Sequence, residues 1–382
     1  MRDSLVAWLE AIPLGIDVPC ATEAMLDVLE GRITAAKLAI FLACMLKNVV
    51  RYGERRGTQI LYVFSCGKYR RNSHALREMV RTHVCALFAM PALSSSAARS
   101  ARLSPVERLE ARCNTTEVTG IAIAKMLRTM RAGAGGVAAH EFERAMDGGE
   151  YIGFRNGVYD LCGDRFTPNE QVHYSVLVSM STGYDYVTAE ACPQETVDKI
   201  KEFYRMLFSD PSDPSDANLA AAWRFSGSLL TAERKCAVAF VGGGDSGKTA
   251  FTNLMHRTLG EYSAGMFGFR FRRSAHCNER VRMSVYAEVG RKDVVRFECA
   301  GQALAFRATP VMHATAELSP SLARAIDAGS ARALHFGSTF VHEGIDPARR
   351  LYARDSMLLA RDAFDTWALA HFHLMLEARP LA

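Results

Sequence analysis

Apolar residues run unbroken from Ala237 to Val241 and stop at a glycine. A short apolar run with β-branched and aromatic members predicts a buried strand. Beyond Thr249 the apolar positions become Phe251, Leu254, Met255 and Leu259, a helical period. The same change of period divides the rest of the chain. Leu5, Trp8, Leu9 and Ile12 share one helical face, Met25, Leu26, Val28 and Leu29 do so in part, and 35–50 continues apolar with few breakers. Residues 1–60 therefore read as a helical segment. From Ile60 to Phe64 the chain is β-rich and runs into Cys66-Gly67, a strand and a turn. Residues 73–88 predict a helix with Leu76, Val80, Val84 and Leu87 on one side, 91–105 a loop, and 117–131 a helix that ends at a glycine-rich stretch. Between Tyr151 and Pro168, Asn156-Gly157 and Gly163-Asp164 separate short strand-like runs, which predicts a small β-meander with a structural role. The prolines of 209–216 exclude helix there, helix resumes over 218–230, and a main boundary is expected near residue 210. Three segments result: 1–60 helical, 61–209 helices plus a small β-meander, and 210–382 an α/β core.

The loop between the central strand and its helix carries the chemistry. Gly242-Gly243-Gly244-Asp245-Ser246-Gly247-Lys248-Thr249 has the spacing G-x-x-x-x-G-K-[ST] in a strand–loop–helix context, the setting a phosphate-binding loop needs. Glycines let backbone N–H groups turn inward around phosphate oxygens, and the N-terminus of the helix that follows adds positive potential, so Ala250 is counted with 242–249 among the nucleotide-binding residues. Lys248 is expected to reach the β and γ phosphates of ATP, and Thr249 to ligate Mg²⁺. Hydrolysis also needs an acid on a neighbouring strand. The half-apolar run from Val281 to Glu288 supplies one, making Glu288 the candidate for holding Mg²⁺ and polarising water, with Asp293 and Glu298 as alternatives.

Composition narrows the class without choosing a partner. The chain has 382 residues, 49% hydrophobic and 23% charged, with a net charge of +5. That is a globular composition, long enough for two or three domains at roughly 150 residues each. Positive charge is local, at Arg270, Arg272, Arg273, Arg280 and Arg282. The ten cysteines are scattered, show no zinc-ligand spacing, and read as reduced residues of an intracellular protein. His371 and His373 lie two apart, on different faces of a helix, which argues against a shared metal. No apolar stretch near the N-terminus approaches the ~20 residues of a membrane helix, so no membrane association is expected.

The order Asn156-Gly157-Val158-Tyr159-Asp160-Leu161, Phe166 and Pro168, Tyr184-Asp185-Tyr186, Ala191-Cys192-Pro193, the glycine loop through Thr249, then Leu259-Gly260-Glu261-Tyr262 resembles D5-like superfamily 3 helicases. These serve replication of large DNA viruses, phages and related mobile elements. The resemblance runs from about residue 60 to 375. It implies an AAA+-type core after the helical and small-β N-terminal region, assembled as a hexamer-like ring that translocates on single-stranded or forked DNA while hydrolysing ATP, with a separate primase or polymerase as a further partner. By the same resemblance Lys248, Glu288 and Arg332 are catalytic, Arg332 as a finger acting on a neighbour's nucleotide. Arg272, Arg273 and Arg296 are the residues expected to hold DNA. The chain departs from the family's pattern at Arg296, Ala300 and Gln302, where lysine, glycine and aspartate are typical. Ala316 stands where a sensor asparagine is expected, and Ala333 where the second arginine of a pair is expected. A second expectation arises from these departures: a nucleotide-binding scaffold or regulator of a replication complex with little unwinding activity. A small-molecule kinase built on the same loop is a third, weakened by the long helical N-terminal half.

Overall fold

A computed structural model describes residues 2–12, 16–30, 34–55, 58–71, 76, 80, 116–133, 139, 141–142, 145–210, 213, 215–230, 237–267, 282–289, 298–299, 302–303, 309–315, 317–354 and 364–379. Contacts sort them into two units. One spans Met1–Met146 with Asn169–Ser179, the other Asp147–Pro168 with Met180–Ala382.

In the first unit, helices α1 (Arg2–Ala11), α2 (Val18–Glu30) and α3 (Ala35–Leu46) precede an antiparallel sheet of β1 (Val50–Arg55), β2 (Thr58–Ser65) and β3 (Lys68–Arg70), followed by α4 (Thr116–Gly133). Leu5, Leu9, Met25, Val28, Leu38, Phe41, Leu42 and Met45 are buried, at the spacing that lines one helix face. Thr34 caps α3 by accepting the Lys37 N–H. The Tyr69 ring is buried, and its hydroxyl donates to the carbonyl of Tyr174 at 2.7 Å. Cys20 and Cys44 are paired across α2 and α3, with Cα atoms 6.0 Å apart. The expectation of unpaired cysteines fails for these two, because their 24-residue separation hides that α2 and α3 run side by side.

The second unit begins with the expected meander, β4 (Tyr151–Phe154), β5 (Gly157–Asp160) and β6 (Arg165–Pro168). Helices α5 (Gln194–Phe208) and α6 (Ala217–Ser228) lead to β7 (Ala237–Val241), α7 (Lys248–Leu259), β8 (Ser263–Phe267) and β9 (Met283–Val289). The short pair β10 (Glu298–Cys299) and β11 (Gln302–Ala303) comes next, then β12 (Thr309–Ala314), α8 (Pro320–Asp327), β13 (Ala331–His335), β14 (Thr339–Val341), β15 (Leu351–Ala353) and α9 (Ala368–Glu377). Five strands form one parallel sheet in the order β13-β7-β12-β9-β8. From β7 the chain crosses to the far edge and works back; after β12 it steps over β7 to the other edge. The order thus reverses at β7, and in doubly wound sheets such a switch point opens a crevice at the carboxyl ends of the strands.

Alternation along β7 explains the layers. Ala237, Ala239 and Val241 share a core with Met312, Ala314 and the α8 residues Leu322 and Ala325. Val238 and Phe240 face the other way, into a core with Phe251, Leu254 and Met255 of α7 and residues of α5, α6 and α9. On that second face a chain of polar groups joins four helices. The Tyr204 hydroxyl (α5) meets Ser226 Oγ (α6) at 2.7 Å and His371 Nε2 (α9) at 2.8 Å, and His371 Nδ1 meets Thr258 Oγ1 (α7) at 2.6 Å. Buried polar groups require such partners. Burial pushes His371 down to about 3 and, in β12, His313 down to about 4, so both rings are neutral.

Several expectations need correction. Residues 50–55, placed in the helical segment, are a strand, because β2 gives them a partner that local propensity does not reveal. Helix α5 is an addition to the expected elements, although Ile200, Phe203, Tyr204, Leu207 and Phe208 mark its buried face. The main division does not fall at 210: the meander and α5 pack into the sheet's own core, which makes 61–209 two separate pieces of structure. The helix expected over 73–88 and the loop over 91–105 lie almost wholly outside the described residues.

The two buried histidines give the fold a pH dependence. An unfolded imidazole takes up its proton near 6.5, while His371 and His313 refuse it until about 3 and about 4. Below pH 6.5 the unfolded chain binds more protons, so stability falls with pH, by about 1.4 kcal/mol per pH unit for each ring. Urea midpoints taken from pH 7 to 5 should drop steadily, and His371→Phe should show a shallower slope; a flat wild-type profile contradicts the assignment.

Candidate functional site

The glycine loop leaves β7 under tight control. The Gly242 N–H donates to the carbonyl of Ala314 in β12 at 3.2 Å, and the Phe336 N–H donates to the carbonyl of Val241 at 2.8 Å. Gly242 has no room for a side chain: a Cβ there would lie 2.6 Å from the Phe336 carbonyl oxygen and 2.8 Å from Ser246 Oγ. Asp245 has φ 52° and Gly247 φ 88°. These left-handed residues curl the chain back toward α7, a conformation glycine adopts freely and aspartate tolerates. A Cβ on Gly247 would also meet Leu207 Cδ2 at 2.4 Å. The Asp245 carbonyl accepts the Phe340 N–H at 3.0 Å, so β14 flanks the loop.

Within this turn Ser246 is buried and donates from Oγ to the Gly243 carbonyl at 2.9 Å. Lys248 is buried too. Its Nζ lies 2.7 Å from the carbonyl oxygens of both Gly242 and Gly243 and 3.1 Å from Ser246 Oγ. Thr249 is exposed at the first turn of α7, and Ala250 packs into the core behind it. Among the described residues no group accepts a hydrogen bond from the backbone N–H of Gly243, Gly244, Asp245, Ser246, Gly247 or Thr249. A turn with a buried cation and successive free N–H donors is a basic concavity suited to an anion. The donor set fits a polyphosphate.

Behind the loop, Thr252 Oγ1 donates to the Lys248 carbonyl at 2.9 Å and meets His313 Nε2 at 2.8 Å. His313 stacks on Phe240, with centroids 5.8 Å apart. Burial, then the charge of Lys248, lowers its pKa. The neutral ring adds no positive charge beneath the lysine.

The other expected residues fall out unevenly. Glu288 lies in β9, whose next residue, Val289, is in register with Ala314 and, through β12, with Val241. Its backbone is therefore at the same carboxyl edge as Gly242. Asp293 lies outside the described residues, and Glu298 belongs to the separate β10–β11 pair. Arg332 sits near the start of the edge strand β13, exposed and in register with Val238, toward the end of the sheet opposite the loop. Among the described residues it has no ion pair with Asp327 or Glu343. Arg272, Arg273, Arg296, Ala300 and Ala316 lie outside the described residues.

Arg282, counted with the basic run, is buried. It donates to the carbonyls of Leu230 and Tyr151, the latter at 2.8 Å, and lies over the Tyr262 ring. It is a staple of the fold rather than a surface cation. His371 and His373 are likewise occupied, His373 by the Val187 carbonyl at 2.9 Å. The residues that sequence reasoning missed are Arg354 beside the loop and the Thr252–His313 pair behind it; Phe340, expected only as part of the segment carrying the arginine finger, lies beside the loop as well. No motif marks them, since β14 and Arg354 come far along the chain from Gly242.

Among the described residues no group of three or more His, Cys, Asp or Glu is placed to hold a metal ion, and no helix is long and apolar enough to cross a membrane. No family model matches the chain, and no curated protein matches it in sequence.

The loop's glycines are not equivalent. Gly242→Ala must displace a backbone carbonyl and is expected to cost about 1–3 kcal/mol, whereas a Cβ on Gly243 or Gly244 meets nothing within 4 Å. Gly243→Ala should therefore stay within about 0.5 kcal/mol of wild type. Urea unfolding distinguishes them; equal effects contradict the described packing.

Proposed function

We propose that this chain is an ATPase of the D5-like superfamily 3 helicase kind, binding ATP with Mg²⁺ at 242–249 and acting on DNA as a ring. The observation that carries the reading is the placement of the loop at the switch point of a parallel sheet, with the backbone of Glu288 on the same carboxyl edge two strands away. Phosphate oxygens take the free N–H groups of the loop. Lys248 turns its Nζ from the carbonyls of Gly242 and Gly243 to the β and γ phosphates. Thr249 and Glu288 hold the ion, which when bound neutralises charge on the phosphates. Arg332 stands too far along its own strand to serve the loop of its own chain, which suits a finger offered to a neighbour. Arg272, Arg273 and Arg296 are the residues assigned to single-stranded or forked DNA, and a separate primase or polymerase completes the system.

The nucleotide-binding scaffold is the second reading. It is favoured by Ala316 in place of a sensor asparagine and Ala333 in place of a second arginine.

ATP turnover measured with and without single-stranded DNA separates the two: stimulation favours the motor, binding without turnover the scaffold. Lys248→Ala should lose ATP binding, and Glu288→Gln should bind ATP but hydrolyse it at least ~100-fold more slowly, the scale of losing one aligned catalytic group. A Lys248→Ala protein that binds ATP as wild type does sinks the nucleotide site; a Glu288→Gln protein with full turnover moves the acid elsewhere. Mixing Arg332→Ala with Lys248→Ala protein should restore part of the activity if the finger acts between subunits. No recovery in mixed oligomers removes Arg332 from that role.

A further inference from the structure

We propose that Arg354 is a second phosphate-binding cation of this site, supplied by the same chain, and that the loop's own Asp245 holds it in place for the exchange. The inference rests on the reading of 242–249 as a triphosphate site and adds a residue to it.

The strap that carries Arg354 is fixed against the loop. Strands β14 and β15 pair in parallel, Phe340 opposite Tyr352 and Val341 opposite Ala353. Phe340 donates its N–H to the Asp245 carbonyl, and Arg354 donates its own N–H to the Val341 carbonyl at 2.8 Å. Arg354 therefore begins two residues beyond Tyr352, whose rung with Phe340 is bonded to the loop. Upstream, Arg350 anchors the strap. Its half-buried guanidinium donates to the Leu207 carbonyl at 3.2 Å, at the end of α5, and lies 3.7 Å from Asp210. The backbone of the strap needs no movement for Arg354 to act.

Its side chain is placed accordingly. Nη1 of Arg354 lies 3.5 Å from Asp245 Oδ1, with the arginine side chain 32% and the aspartate 57% exposed. An ion pair this open contributes little to stability, yet it sits in a loop where a carboxylate is otherwise a liability. A negative charge at Asp245 repels incoming phosphates unless a cation stands beside it. The positions of Gly243 and Gly244 add no side chain to this side of the loop. A guanidinium offers a planar fork that suits phosphate oxygens better than an ammonium does. Lys248 and Arg354 thus share one arrangement: each is held by oxygen atoms of the loop itself and exchanges them for those of the phosphate.

Two roles for Arg354 remain to be separated, neutralising Asp245 and contacting phosphate. Calorimetric titration of the full chain with Mg²⁺–ATP and Mg²⁺–ADP does so. Arg354→Ala should weaken ATP binding by ~10–100-fold, the scale of one charge-assisted contact, with Arg354→Lys in between. Asp245→Asn should bind ATP as tightly as wild type or more so. The double variant Arg354→Ala with Asp245→Asn should stay weak, because the contact itself is gone. A double variant that returns to wild-type affinity shows that Arg354 only offsets Asp245 and overturns the proposal, as does Arg354→Ala within twofold of wild type. Lys248→Ala, run alongside, separates the two failures. If it loses ATP while Arg354→Ala does not, the site stands and Arg354 is no part of it; if it binds normally, the site and the proposal fall together. Unfolding midpoints close to wild type for the Arg354 variants, whose side chain is part-exposed, show that affinity and not folding is being read.

Discussion

Every residue of β7 is buried, and the strand has a neighbour on each side and helices on each face. A strand enclosed in this way cannot shift in register without moving Ala237, Ala239 and Val241 into the aromatic core and Phe240 into the alanine-lined one. The loop at its end inherits that rigidity through the Gly242–Ala314 and Phe336–Val241 hydrogen bonds. The asymmetry of the two faces matters as well. Small residues face α8, while Phe240, Phe251, Phe225 and Phe336 interlock on the side of α7 with centroids 5.1–6.4 Å apart. The first turn of α7, which presents Lys248 and Thr249, is thus seated on the stiffer side.

The meander serves the same end by another route. Asn156, from the most distinctive stretch of the resemblance, accepts the Tyr186 N–H and donates to the Tyr186 carbonyl, at 2.9 and 3.0 Å. Asp160 accepts the N–H groups of Cys162 and Gly163 and shapes the next turn. Gly157 is required because a Cβ would lie 2.3 Å from the Thr167 carbonyl. Phe154, Phe166, Tyr184, Tyr186 and Phe372 then close around one another as an aromatic cluster. Tyr184 passes the constraint on by donating to the Thr258 carbonyl of α7 at 2.7 Å. The distinctive residues of this stretch are structural, and they brace the helix that carries the lysine.

How much of the fold and the site is legible in the sequence depends on the range of each signal. The strand, the loop and α7 are contiguous, so period and motif locate them together. The meander announces itself through Asn156-Gly157 and Gly163-Asp164, turn signals that act within a few residues. Pairings across long separations are not legible: Cys20 with Cys44 and Phe340 with Asp245; β1, though it pairs with the adjacent β2, is hidden by the helical pattern before it. The strand order is of the same kind. That β12 inserts between β7 and β9 depends on crossovers, and no local pattern encodes it. Arginine content misleads in one instance, because Arg282 looks like its basic neighbours in sequence and is buried in the fold.

The residues behind the loop bear on whether binding and turnover go together. A sensor residue at the end of β12 must reach the phosphate side of the sheet. The last long polar side chain of that strand, His313, faces α7, with Nε2 committed to Thr252 and the ring stacked on Phe240. Its neutral form is fixed by burial and by Lys248, so it is neither a cation for the γ-phosphate nor free to orient water. In the sequence, Ala316 stands where the resembling family is expected to carry an asparagine. The loop, by contrast, keeps a buried Lys248 beside its N–H groups, with the strap that carries Arg354 bonded to it at Asp245. On the proposed reading, affinity for a triphosphate would depend on the loop and its strap, and the rate of hydrolysis on Glu288 and on a neighbouring subunit.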